Sequence, residues 1–136
     1  MHINGGCHCG KITYEAEIDP EAVNICHCTD CQTLSGTAFR TVVSAKKENF
    51  KLLSGEPRVY IKTAESGNKR AQAFCPDCGT PLWATAPTDP QVFGLRVGAI
   101  GQRNELKPRR QVWARSAQGW LSELGSMMRV EKQPQN

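Results

Sequence analysis

Apolar and polar residues alternate most cleanly near the start of the chain. From Lys11 to Ile18, the residues Ile12, Tyr14, Ala16 and Ile18 interleave with Lys11, Thr13, Glu15 and Glu17. A period of two marks a strand with one buried face. The stretch before it, Gly5-Gly6-Cys7-His8-Cys9-Gly10, is glycine-rich enough to bend sharply, so residues 1–18 read as a hairpin. Further strands are expected over 22–25, 37–45, 50–53, 58–61, 70–74, 81–84, 91–98 and 109–114. The turn Ser54-Gly55-Glu56-Pro57 suggests that 50–53 and 58–61 form a second hairpin. One short helix is expected through Gln32, Thr33 and Leu34, capped by Thr29 or Asp30 and ended by Gly36. A second lies around Trp120-Leu121, and the polar segment 131–136 reads as a frayed tail. The pattern therefore predicts a mainly β protein: two or three packed antiparallel sheets, one or two short helices, and a single domain over 1–130.

Composition narrows the class. Hydrophobic residues make up 39% of the 136 and charged residues 22%, an ordinary globular mixture. No apolar run approaches a membrane span. The N-terminal stretch lacks the basic and apolar regions of an export signal, so a cytoplasmic location is expected. In a reducing compartment clustered cysteines read as metal ligands rather than disulfides, and an odd count of seven cannot pair completely. Thiolate charge on bound metal would also remove most of the formal charge of +4. Charge is thus a weak argument for nucleic acid, and no such partner is expected.

The cysteines carry the chemistry. Cys26-His27-Cys28-Thr29-Asp30-Cys31 places three of them within six residues, flanked by the pairs Cys7/Cys9 and Cys75/Cys78. Residues i and i+2 of an extended strand face the same way, so Cys7 with Cys9, and Cys26 with Cys28, can each point at one metal. Cys7, Cys9, Cys75 and Cys78 form a four-thiolate set suited to a structural Zn²⁺, which would close a long loop. Cys26, Cys28 and Cys31 are three, and three ligands leave a position for water or substrate. The alternatives are a trio closed by His27, His8 or an acidic side chain, or one member exchanged into the four-thiolate set. His27 and His8 each sit between two cysteines and so face the opposite way, which favours packing or hydrogen bonding over ligation.

An open three-thiolate zinc suits thiol and carbonyl chemistry, because it lowers the pKa of an incoming thiol and polarises an aldehyde oxygen. No competing catalytic motif is present. Asp30 reads as a helix cap or solvated acid before a base, and Ser35 as a turn serine before a substrate contact. Trp83, Trp113 and Trp120 read as core before a stacking platform. Lys107, Arg109, Arg110 and Arg115 read as a solvated basic edge before a binding surface.

Together Gly6-Cys7-His8-Cys9-Gly10, Cys26-His27-Cys28-x-x-Cys31 with Ser35-Gly36, Phe74-Cys75-x-x-Cys78-Gly79-Thr80, and Trp113 and Trp120 downstream closely resemble the glutathione-dependent formaldehyde-activating enzyme family. That family also includes centromere protein V. The resemblance implies an Mss4-like (β-tent) zinc-binding fold, a structural zinc on Cys7, Cys9, Cys75 and Cys78, and a catalytic-type zinc on Cys26, Cys28 and Cys31. The implied activity joins glutathione and formaldehyde into S-hydroxymethylglutathione, a carbon–sulfur lyase reaction run backwards. Gln111 departs from the pattern, since many members carry His there. The expected partners are thus a small thiol and a small aldehyde. The rival readings are a zinc-stabilised binding module for a macromolecule, or a metal-storage role.

Overall fold

The computed structural model describes residues 1–134; the last two residues of the expected tail lie outside them. Ten strands build two sheets. The smaller holds β1 (His2–Gly6), β2 (Thr13–Glu17) and β5 (Phe50–Ser54), with β2 in the middle. The larger runs β10-β3-β4-β9-β8-β7-β6, from β10 (Arg110–Val112), β3 (Asn24–Cys26), β4 (Arg40–Lys46), β9 (Val92–Arg96), β8 (Pro81–Thr85), β7 (Lys69–Phe74) and β6 (Arg58–Thr63). One helix, α1 (Thr29–Ser35), follows β3, and a 3₁₀ segment covers Gly119–Ser126. The Mss4-like, mainly β expectation therefore holds.

The alternation read from β2 is real: Ile12, Tyr14, Ala16 and Ile18 are all buried. They pack with Ile3, Val43, Leu82, Trp83 and Leu95 into one core between the two sheets. Tyr14 meets Trp83 edge-on at 5.4 Å, while Phe50 stacks on Phe93 at 4.1 Å. Such aromatic pairs add about 0.5–1.5 kcal/mol each beyond area burial. Gly5 is required opposite Tyr14, because a Cβ there would lie 2.1 Å from Tyr14 Cζ.

Three expectations are corrected. Segments 50–53 and 58–61 are not a hairpin: β5 pairs antiparallel with β2, and β6 with β7. Gly55, in the left-handed region at φ 79°, lies against the Lys11 carbonyl and Ile12 rather than closing a two-strand turn. The sheets are not purely antiparallel, since β10 runs parallel to β3. A parallel neighbour needs a long crossover, and here residues 27–109 intervene. Of the tryptophans only Trp83 is core; Trp113 and Trp120 are 44% and 43% exposed.

The larger sheet has two unlike faces. Val43, Ala45, Ala73, Trp83 and Leu95 point to the core. Directly opposed residues of neighbouring strands share a face. The pairs Cys26↔Arg40, Val42↔Arg96, Gly94↔Ala84, Ala84↔Gln72 and Gln72↔Tyr60 therefore set Cys26, Arg40, Arg96, Gln72 and Tyr60 together on the other face. Among the described residues, no helix is long and apolar enough to cross a membrane.

Candidate metal centres

Two turns bring four cysteines together. After β1 the chain folds back through Cys7, where the Ile12 amide donates to Cys7 Sγ at 3.2 Å and the Gly10 amide to the Cys7 carbonyl at 3.1 Å. After β7 the Gly79 amide donates to the Cys75 carbonyl at 2.9 Å, with Gly79 at φ 77°. Both glycines that follow a cysteine pair are left-handed, Gly10 at φ 82°, and only glycine takes this conformation freely. The turns are tied by Lys11 Nζ to Asp77 Oδ2 at 2.7 Å and by the His8 amide donating to Thr80 Oγ1 at 3.0 Å.

The four sulfurs of Cys7, Cys9, Cys75 and Cys78 all lie within 4.8 Å of one another. Cys7–Cys9 and Cys9–Cys75 are 3.6 and 3.7 Å apart, against an edge of about 3.8 Å for a tetrahedral thiolate metal site. They are too far apart for a disulfide, and all seven cysteines are free. Hydrogen bonds from the Thr80 hydroxyl and amide draw the Cys78 thiol down to about 5. The Lys11 amide favours the Cys9 thiolate, yet its three sulfur neighbours push it up to about 12. Four sulfurs facing one another cannot all ionise without a cation between them, so the donor set fits a metal.

Cys26, Cys28 and Cys31 also converge within 4.8 Å, and no His, Asp or Glu among the described residues joins them. Cys26 ends β3, Cys28 caps α1, and Cys31 lies in its first turn. The cap is thus Cys28, not Thr29 or Asp30: its Sγ accepts the Cys31 amide at 3.3 Å. A thiol acceptor at a helix start satisfies an orphan N–H and holds negative charge at the positive end of the peptide dipoles. Burial alone would push the Cys28 thiol up. The Cys31 amide, its two sulfur neighbours and the Lys62 charge outweigh it and leave Cys28 below its usual value. Burial, then Cys26, pushes Cys31 up to about 12 against the pull of Arg40. Gly36 ends α1 as expected, left-handed at φ 71°.

His27 points away from the sulfurs, as its place in the strand requires. It is buried, and its Nε2–H donates to Gln111 Oε1 at 2.7 Å. His8 is exposed. Asp30 is a rim acid paired with Lys62 at 2.9 Å. Ser35 Oγ only donates to the Gln32 carbonyl. Lys107, Arg109, Arg110 and Arg115 are all exposed, with Arg109 paired to Glu21 at 3.3 Å.

The family model of the glutathione-dependent formaldehyde-activating enzymes matches residues 2–116. The chain belongs to that family. Among its formaldehyde-activating relatives, a Halomonas elongata protein provisionally given the family name is 24% identical over 114 residues, 81% of this chain and 73% of the relative. A crystal structure of a Rhodobacter sphaeroides protein superposes at a TM-score of 0.61 with 18% identity, covering 80% of this chain and 99% of that one. The shared fold with that structure is what the likeness shows.

Two features of this formaldehyde-activating-family site escaped the sequence reading. Gln32 anchors α1, its Nε2 donating to the carbonyls of His27 at 2.7 Å and Ser116 at 3.0 Å, while its Oε1 accepts from Gln118. Trp113 is left-handed at φ 55°, a strained state for a bulky residue. It walls a 530 Å³ cavity with Cys28, Asp30, Lys62 and Ser116. Only the family motif hinted that Trp113 mattered; nothing in the local sequence announces its backbone.

Proposed function

We propose that this protein adds a small thiol, typified by glutathione, to a small aldehyde such as formaldehyde, or catalyses the reverse. In that carbon–sulfur lyase-type reaction the sulfur–carbon bond forms as the carbonyl π bond becomes an O–H, and the thiol proton ends on that oxygen. The observation that carries the reading is an incomplete sulfur set: Cys26, Cys28 and Cys31 converge with no fourth ligand among the described residues, and Cys28 lines an open cavity. In this reading Zn²⁺ would occupy both clusters, with a structural role on Cys7, Cys9, Cys75 and Cys78 and a catalytic one on Cys26, Cys28 and Cys31. Bound at the trio it would supply Lewis acidity and favour the thiolate form of an incoming thiol.

The chain's own residues do the rest. The Cys31 amide and the start of α1 favour the thiolate form of Cys28. Gln32 fixes the helix against the C-terminal segment. Lys62 and Asp30, paired at the rim, and Trp113 shape the cavity through which reactants arrive. Family membership and the free state of every cysteine support a reducing, cytoplasmic setting, and residues 1–130 act as one domain.

The test is exchange spectroscopy on glutathione and formaldehyde with zinc-loaded protein. Accelerated interconversion of the adduct, abolished in Cys28→Ser while cooperative melting persists, supports the reading. Wild-type protein carrying two zinc equivalents and giving no acceleration with glutathione or simpler thiols overturns it.

A further inference from the structure

On the outer face of the larger sheet two guanidiniums, those of Arg40 and Arg96, converge with no carboxylate between them. Arg40 is 7% exposed and Arg96 is half-buried. Neither has an acidic partner within ion-pair distance among the described residues. What joins them is one neutral oxygen: Arg40 Nη1 and Arg96 Nη2 both donate to Gln72 Oε1, at 3.2 and 2.7 Å. Arg96 Nη1 also donates to the Gly94 carbonyl at 3.3 Å. Each guanidinium has five N–H donors, so most of the pair's donors have no protein acceptor. They are not sealed in either, since the enclosed side-chain polar atoms lacking a partner are Tyr14 Oη and His27 Nδ1.

These donors face a 390 Å³ cavity walled by Leu34, Tyr60, Phe74 and Pro81. Like charges drawn this far from water and sharing one amide oxygen are costly unless an anion sits between them. The neighbouring sulfurs do not fully answer the charge. Three thiolates on a divalent cation leave one negative charge, and the two arginines bring two positive ones. Cys26 stands directly across the β3–β4 pair from Arg40, and Cys31 shares a helix face with the cavity wall Leu34. The cavity therefore adjoins the trio.

We infer that the cavity between Arg40 and Arg96 seats the carboxylate of the thiol substrate, making that substrate a small carboxylate-bearing thiol whose apolar portion lies against Tyr60, Phe74 and Pro81. The inference rests on reading the trio as a thiol-addition site. It places the anion in a bidentate fork that a planar carboxylate fits.

The experiment separates the two. Phenylacetate has the carboxylate and apolar body without a thiol, and phenylacetamide is its neutral counterpart. Calorimetric titration of the metal-loaded protein should give saturable phenylacetate binding, at least tenfold weaker for phenylacetamide. Arg40→Met and Arg96→Met should each weaken phenylacetate at least tenfold, and the surface control Arg115→Ala should not. Gln72→Glu places a carboxylate where the two arginines already converge; it should raise the melting temperature and abolish phenylacetate binding. In turnover with formaldehyde, the Arg96→Met variant should lose the advantage of 3-mercaptopropionate over 2-mercaptoethanol. No phenylacetate binding to wild type, equal binding of the amide, or binding indifferent to Arg40, Arg96 and Gln72 overturns the inference. Binding as described without any thiol turnover leaves the anion seat standing and removes the catalytic reading instead.

Discussion

His27 Nε2 lies 2.7 Å from Gln111 Oε1, a hydrogen bond from the turn after β3 to β10. The histidine between two cysteines of the trio thus spends its N–H on the last strand, behind the sulfurs. Gln111→Leu should leave that buried N–H unpaired and cost about 1–3 kcal/mol. Urea denaturation checks the cost, and metal content should stay at the wild-type value.

The two cysteine sets should respond differently to loss of one sulfur. Cys75 is wholly buried and its backbone closes the second turn, so Cys75→Ser should abolish cooperative thermal melting. Structural zinc in small folds contributes on the order of 10 kcal/mol, enough to exceed a domain's net stability. Cys28→Ser should keep a cooperative melt and lose about one equivalent of metal by elemental analysis.

Tyr14 Oη is buried without a partner among the described residues, and burial pushes its phenol above the usual range. Removing an unpaired buried hydroxyl lifts a desolvation cost, so Tyr14→Phe should stabilise the fold by about 1 kcal/mol. Gly5→Ala, which drives a methyl into the same ring, should destabilise by about 1–3 kcal/mol. Paired denaturant titrations read both signs.

Trp113 holds a left-handed backbone while walling the Cys28 cavity. Asn tolerates that conformation better, which recovers about 1–2 kcal/mol of strain against the packing lost. Trp113→Asn should therefore change stability little and raise the KM for the thiol. Steady-state kinetics beside a melt separates the two effects.

The legible parts of the chain are those where chemistry repeats locally. The alternation of 12–18 located β2 and its buried face, and Gly36 after an apolar turn located the end of α1. Cysteines at i and i+2, with the two C-x-x-C turns, located both sulfur clusters. What was not legible depends on partners distant in sequence. The turn at 54–57 offered a hairpin, but burying Phe50 against Tyr14 and Phe93 took β5 to the other sheet. Arg40 and Arg96 read as ordinary polar positions of two strands. Only the register across β4 and β9 places them on one face with Gln72. The cap was misread because a cysteine competes poorly with Thr or Asp in sequence statistics, whereas a thiolate at that spot accepts an amide well.

The first sulfur cluster joins Cys7 and Cys9 to Cys75 and Cys78, and this sets an order of events on the ribosome. At about 5–20 residues per second, the early pair leaves the exit tunnel seconds before its partners exist. During that interval the nascent chain carries a half-built thiol clamp, exposed to oxidants and to whichever soft metal arrives first. The clamp can close only once the second turn has emerged, so the two halves of the fold are joined late in translation.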